Sequence, residues 1–166
     1  MLLGGFGLPC KCSLGAPSGS ISLQQSCDHA IEHQIVVVAA VGNTGPNDNT
    51  IGFPAQYASV IAVGATDSTN MIATFSSRGS QLSVVAPGVN ILSTFKGNAY
   101  ATGSGTSMAC PHVTGTVALM LAKDPNSAAT VKATLKSTAN DLGSIGFDTT
   151  YGYGIINAAK ACGIAG

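Results

Sequence analysis

The sequence predicts an α/β domain built on a mostly parallel sheet with helices on both faces. Three observations carry that prediction. The runs IVVVAAV (35–41), VIAVGA (60–65) and LSVVAPG (82–88) are short and β-branched, and read as strands covered on both faces. Amphipathic stretches of helical length alternate with them, and strands alternating with helices give parallel sheets. With 166 residues, 45% of them hydrophobic, one core can remove about 70% of the unfolded chain's surface from water.

Taken in order, the first helix is predicted over 18–33, SGSISLQQSCDHAIEH. There Ile21, Leu23, Cys27, Ala30 and Ile31 recur at near-helical spacing behind Ser18 and Ser20 as N-cap candidates. The strand 35–41 follows at once and is broken by Gly42 and Asn43. TGPNDNT (44–50) is a turn-rich loop, not a domain boundary. After the strands at 60–65 and 82–88, ILSTFKGNAYATG (91–103) alternates around Gly97-Asn98 and predicts a hairpin. A long helix is predicted from Ser107 to Ala122, another from Asn126 or Ser127 to Ser137, and a short one over 155–162. Ligands in such sheets lie beyond the carboxyl ends of the strands, and Asn43 lies at the end of the most apolar one.

Charged residues are only 8% of the chain, seven basic against seven acidic, with no charge run. That balance excludes an electrostatic footprint for nucleic acid or an anionic membrane. No apolar stretch approaches the length of a membrane span, and MLLGGFGLPCK has no basic region of a signal peptide. Five cysteines are an odd number, so at least one is expected free; Cys10 and Cys12 lack the C-x-x-C spacing of zinc and redox sites.

The chemistry concentrates in TGSGTSMACPHVTG (102–115), where glycines flank Ser107 and an apolar helix follows. A serine in the first helical turn faces unpaired N–H groups and a dipole that favours an anion, so its attack on a carbonyl would find ready donors. The same placement suits a plain N-cap at Thr106 or Ser107. On the residues alone both uses stay open.

GTSMACPHVTG (105–115) resembles the nucleophile signature of the subtilisin-like serine proteases, the subtilases. SLGAPSGS (13–20), VVVAAVGNTG (36–45), IGFPAQYASVIAVGATD (51–67) and YGYGIINAAKA (151–161) resemble further family segments in the right order. The resemblance covers residues 11–166 as part of a catalytic domain, incomplete at its amino-terminal side, and leaves 1–10 as an unmatched extension. It implies a serine endopeptidase acting on polypeptides, with Ser107 as nucleophile and an oxyanion hole made of its N–H and the Asn43 amide. It implies that Ser13, Leu14 and Gly15 pair with substrate as an added strand, and that Ala40, Gly42 and Gly52 line the S1 pocket. Ala16 stands where the family usually has a second glycine. No cofactor is expected for the chemistry; a weak calcium or monovalent cation site on the carbonyls of Ala55, Tyr57 and Val60 is expected. An extracellular location follows by family.

The family's Asp and His motifs are absent from this sequence, and so is its tight calcium loop. The three histidines are His29, His33 and His112, the last inside the signature itself, five residues after Ser107. The expectation is therefore a chain that needs a separate amino-terminal half, or a non-catalytic form that binds peptides or complements such a half. A sheet without its first strands is expected to be marginally stable or to associate. His29-Ala30-Ile31-Glu32-His33 also spells H-x-x-E-H, a zinc pattern. Glu32 is the only glutamate, leaving the usual third ligand without a candidate, and a solvent-facing helix is the expected reading.

Overall fold

The computed structural model describes residues 8–125 and 128–164. Four strands, β1 (Pro9–Cys12), β2 (Val36–Ala40), β3 (Ile61–Thr66) and β4 (Val84–Pro87), lie side by side in that order, every pair parallel. Helix α1 (Ile21–Glu32) covers one face; α2 (Thr106–Lys123), α3 (Ala128–Thr138) and the short α4 (Ala158–Ala161) gather on the other. The antiparallel hairpin of β5 (Ile91–Phe95) and β6 (Ala99–Gly103) forms a second sheet.

The pleat explains why the central strands are apolar on both faces, Thr66 at the end of β3 being their one polar residue. Val36, Val38 and Ala40 meet Val63, Val84 and the α2 residues Val113 and Val117, while Val37, Ala39 and Val41 meet Ala62, Val85 and Cys27 of α1. Successive side chains of one strand thus serve two cores. Each fully buried Val or Ile contributes about 1.5–3 kcal/mol against exposure.

Several expectations shift. Helix α1 starts at Ile21, because the Ser20 hydroxyl accepts from Leu23 N–H at 3.2 Å and closes the helix there. Helix α4 is shorter than predicted, since Asn157 caps it by accepting from Lys160 N–H at 3.0 Å. Strand β1 was not predicted, and the expected boundary between residues 10 and 11 falls inside it. The cap candidates Asn126 and Ser127, and residues 1–7 of the expected extension, lie outside the described residues. All five cysteines are free thiols, with Cys10 exposed and Cys27, Cys110 and Cys162 buried.

The two outer strands differ. The β4 edge is paired, its Val85 exchanging hydrogen bonds with Gly154 and Ile156. Beyond β1 no further strand lies among the described residues.

Candidate active site

The carboxyl ends of β1 and β2 and the first turn of α2 meet around an open cleft of about 720 Å³. Ser107, Asn43, the 13–15 segment, Ala40, Gly42 and Gly52 all line it, so the predicted nucleophile, oxyanion and substrate residues come together. None of its lining residues is charged.

Two glycines set the position of Ser107. Gly105, the N-cap of α2, has φ of 154° and donates its N–H to Gly88 O at 2.8 Å. A Cβ at Gly88 would sit 2.6 Å from Ala65 Cβ and 2.9 Å from Gly105 O, so the helix start rests directly on the backbone after β4. The Ser107 N–H belongs to the first turn, where amides have no acceptor within the helix.

Asn43 is held by a residue the sequence offered only as a cap. Its Oδ1 accepts from the Thr106 N–H and from the Thr106 hydroxyl, both at 3.0 Å. A backbone N–H can only donate, so the atom facing it is the amide oxygen, and Nδ2 is left as a donor. The Thr106 hydroxyl also accepts from Gly42 N–H at 3.3 Å, and Thr106 is buried. One side chain therefore fixes both the strand end and the amide. Ser77 completes the support by donating its N–H to Gly42 O at 3.0 Å and accepting Thr44 N–H on its hydroxyl at 3.2 Å.

The 13–15 segment is tied to Ser107 by a reciprocal pair. Ser107 Oγ donates to Ser13 O at 3.1 Å, and Ser13 Oγ donates to Ser107 O at 3.2 Å. Pro111 explains the second bond. It lies inside α2 and has no N–H, so the carbonyl four residues earlier, that of Ser107, lacks its helical donor. Ser13 fills the gap. Farther along, Ala16 and Phe53 exchange N–H···O bonds of 2.9 Å and join the two walls of the cleft, while Leu14 is 80% exposed.

Each histidine is engaged on a helix. The His112 ring hydrogen-bonds Met108 O at 2.9 Å, and a helical offset of five residues turns it about 140° away from Ser107. His33 bonds His29 O at 2.9 Å and its ring lies against that of His29 at a 50° tilt, centroids 4.2 Å apart. The Ser107 hydroxyl has the Ser13 carbonyl, not a histidine, as its partner. Cys110, one turn below, is no substitute base: burial raises its thiol pKa, and it donates weakly to Val38 O at 3.6 Å. Among the described residues no group of three His, Cys, Asp or Glu could hold a metal ion, which leaves the H-x-x-E-H pattern without a third ligand.

Two carbonyls of the expected cation site accept hydrogen bonds from the protein itself. The Tyr57 carbonyl accepts from Val60 N–H at 3.0 Å, and the Val60 carbonyl accepts from Lys132 Nζ at 2.6 Å. Asp28, from α1, accepts from the Ser59 hydroxyl in the same turn at 2.7 Å.

Comparison with known proteins gives the family. The subtilase family model matches residues 10–154. Subtilisin DY of Bacillus licheniformis is 53% identical over 152 residues, covering 90% of this chain and 54% of that protein. Subtilisin of Bacillus pumilus is 50% identical over the same shares, and subtilisin E of Bacillus subtilis is 49% identical with 39% of its length covered. The chain spans about half the length of the first two relatives and less of the third. With a family match over residues 10–154 and about 50% identity to these subtilisins, this chain belongs to the subtilase family.

Proposed function

We propose that this chain carries the nucleophile, oxyanion hole and substrate-binding segment of a serine endopeptidase of the subtilisin type. On this reading an amino-terminal half supplies the aspartate and histidine. The observation that carries it is the orientation of Asn43. Two donors from Thr106 hold its oxygen, leaving an uncharged NH₂ beside the helix turn that bears Ser107. Such a group stabilises a tetrahedral oxyanion without taking the serine's proton.

In the mechanism proposed, an extended polypeptide pairs with the backbone of Ser13–Gly15 as an added strand. Its P1 side chain enters the space beside Ala40, Gly42 and Gly52, where the uncharged lining favours an apolar or neutral residue. Ser107 Oγ then exchanges its hydrogen bond to Ser13 O for one to an incoming histidine. That histidine takes the proton as Oγ adds to the scissile carbonyl and returns it to the leaving amine. Secretion is the location this reading favours. No helix among the described residues is long and apolar enough to cross a membrane.

A fluorophosphonate probe followed by intact mass tests the assignment on this chain and on Ser107→Ala. The expected outcome is little labelling of the chain alone, and strong labelling once an amino-terminal half of a subtilisin-type domain is added, abolished in Ser107→Ala. Labelling of the chain alone, lost in the variant, would place a base within these residues and refute the division of labour. No labelling in either condition would favour a peptide-binding or complementing role without catalysis.

A further inference from the structure

In the turn that leads into β3, Asp28 Oδ1 accepts from the Ser59 hydroxyl at 2.7 Å, and a lysine side chain has reached two of the turn's main-chain carbonyls. Lys132, on α3, places Nζ 2.7 Å from Ala58 O and 2.6 Å from Val60 O. It sits on the flank of the stripe by which Val131 and Leu135 bury α3 in the core. Lys136, one turn on, is drawn aside over the Tyr153 ring, 4.8 Å from the centroid. The two lysines, Tyr57, Phe147 and Tyr153 enclose a cleft of about 300 Å³ with no carboxylate in its lining.

A compact ammonium with three donors is the side-chain group that most resembles a hydrated monovalent cation. Carbonyl oxygens at these distances have the same choice between a metal ion and an N–H⁺ donor, and Val60 O cannot serve both. We propose that Lys132 is a tethered cation: its ammonium closes the carbonyl cluster of the 55–60 turn, occupies the place a metal ion would take, and pins α3 to the start of β3. The protein is accordingly indifferent to calcium and potassium at this turn, and loss of the lysine uncovers a latent cation site. Burial, with a smaller push from Lys136, lowers the Lys132 pKa to about 8, so the charged form still prevails at neutral pH.

Thermal unfolding at constant ionic strength in tetramethylammonium chloride, with and without calcium, potassium or butylammonium, tests this on wild type, Lys132→Ala and Lys132→Met. Wild type should not respond saturably to any of them. Lys132→Ala should lose about 3–10 °C through its orphaned carbonyls, and calcium, potassium or butylammonium should restore at least half. Lys132→Met, which refills the space with an apolar stem, should lose as much and recover nothing. If Lys132→Ala does not fold, the readout becomes helical circular dichroism recovered on adding the same cations. Saturable stabilisation of wild type by calcium or potassium would overturn the proposal. So would an unaltered Lys132→Ala, or one that no cation restores. None of these results depends on peptidase activity.

Discussion

At the scale of single residues, the site rests on how few groups hold Asn43. Its amide is solvent-exposed, yet Thr106 fixes its orientation through a backbone N–H and a hydroxyl. Removing the amide and removing its support should therefore differ in degree. With an amino-terminal half present, Asn43→Leu is expected to lower kcat by about 10²–10³ with little change in KM; subtilisin itself is the reference case for that magnitude. Thr106→Val keeps the volume and the backbone donor but deletes the hydroxyl. A kcat loss of about 10-fold is expected, with about 1–2 kcal/mol lost in unfolding free energy because Gly42 N–H loses its acceptor. Equal kcat losses in both variants would mean that the amide acts on the oxyanion only while the Thr106 hydroxyl holds it. Ser107 and Asn43 were legible because their signature is local and long. The double duty of Thr106 was not, since a threonine at a helix start reads as a cap, and Lys132 was silent because its carbonyls lie 72 and 74 positions away.

At the scale of elements, α2 and the 13–15 segment are coupled by a defect. Pro111 removes a helical donor and Ser13 supplies a replacement, so each substitution alters the value of the other. Ser13→Ala should lower stability by about 1 kcal/mol by leaving Ser107 O without its partner. Pro111→Ala returns an N–H to that carbonyl, and in this background Ser13→Ala should be nearly silent. A double-mutant cycle in urea measures the coupling, and additive effects would show that Ser13 does not stand in for the missing N–H. The central strands and both long helices were legible from unbroken β-branched runs and from 3.6-residue periodicity. Strand β1 was not, because PCKC has a proline, a lysine and only four residues. Its pairing with Val36–Ala39 of β2 is a tertiary fact.

At the scale of the whole molecule, the mostly parallel sheet predicted from alternating strands and helices is the one found, but its two edges are unequal. The β4 edge is closed by residues 154–156, whereas β1 presents its outer edge without a strand among the described residues. Leu8 and Leu14 flank that edge, 65% and 80% exposed. An open edge bordered by apolar side chains is a template for another chain. Little electrostatic repulsion opposes such pairing, since the formal net charge is zero and charged residues make up 8% of the sequence. The chain alone is therefore expected to self-associate at micromolar concentrations, with an unfolding midpoint that rises with concentration. Adding an amino-terminal half should replace the self-associated form by a one-to-one complex, because native strands would then occupy the β1 edge. Replacing Lys11 by proline is the control. Leu8 O accepts from Val36 N–H, so residues 8, 10 and 12 bond to β2 and the Lys11 N–H faces the outer edge, where proline removes a donor. Sedimentation velocity across a hundredfold dilution gives the answer. A monomer at every concentration, with one sharp and concentration-independent thermal transition, would mean that the β1 edge is satisfied without a partner.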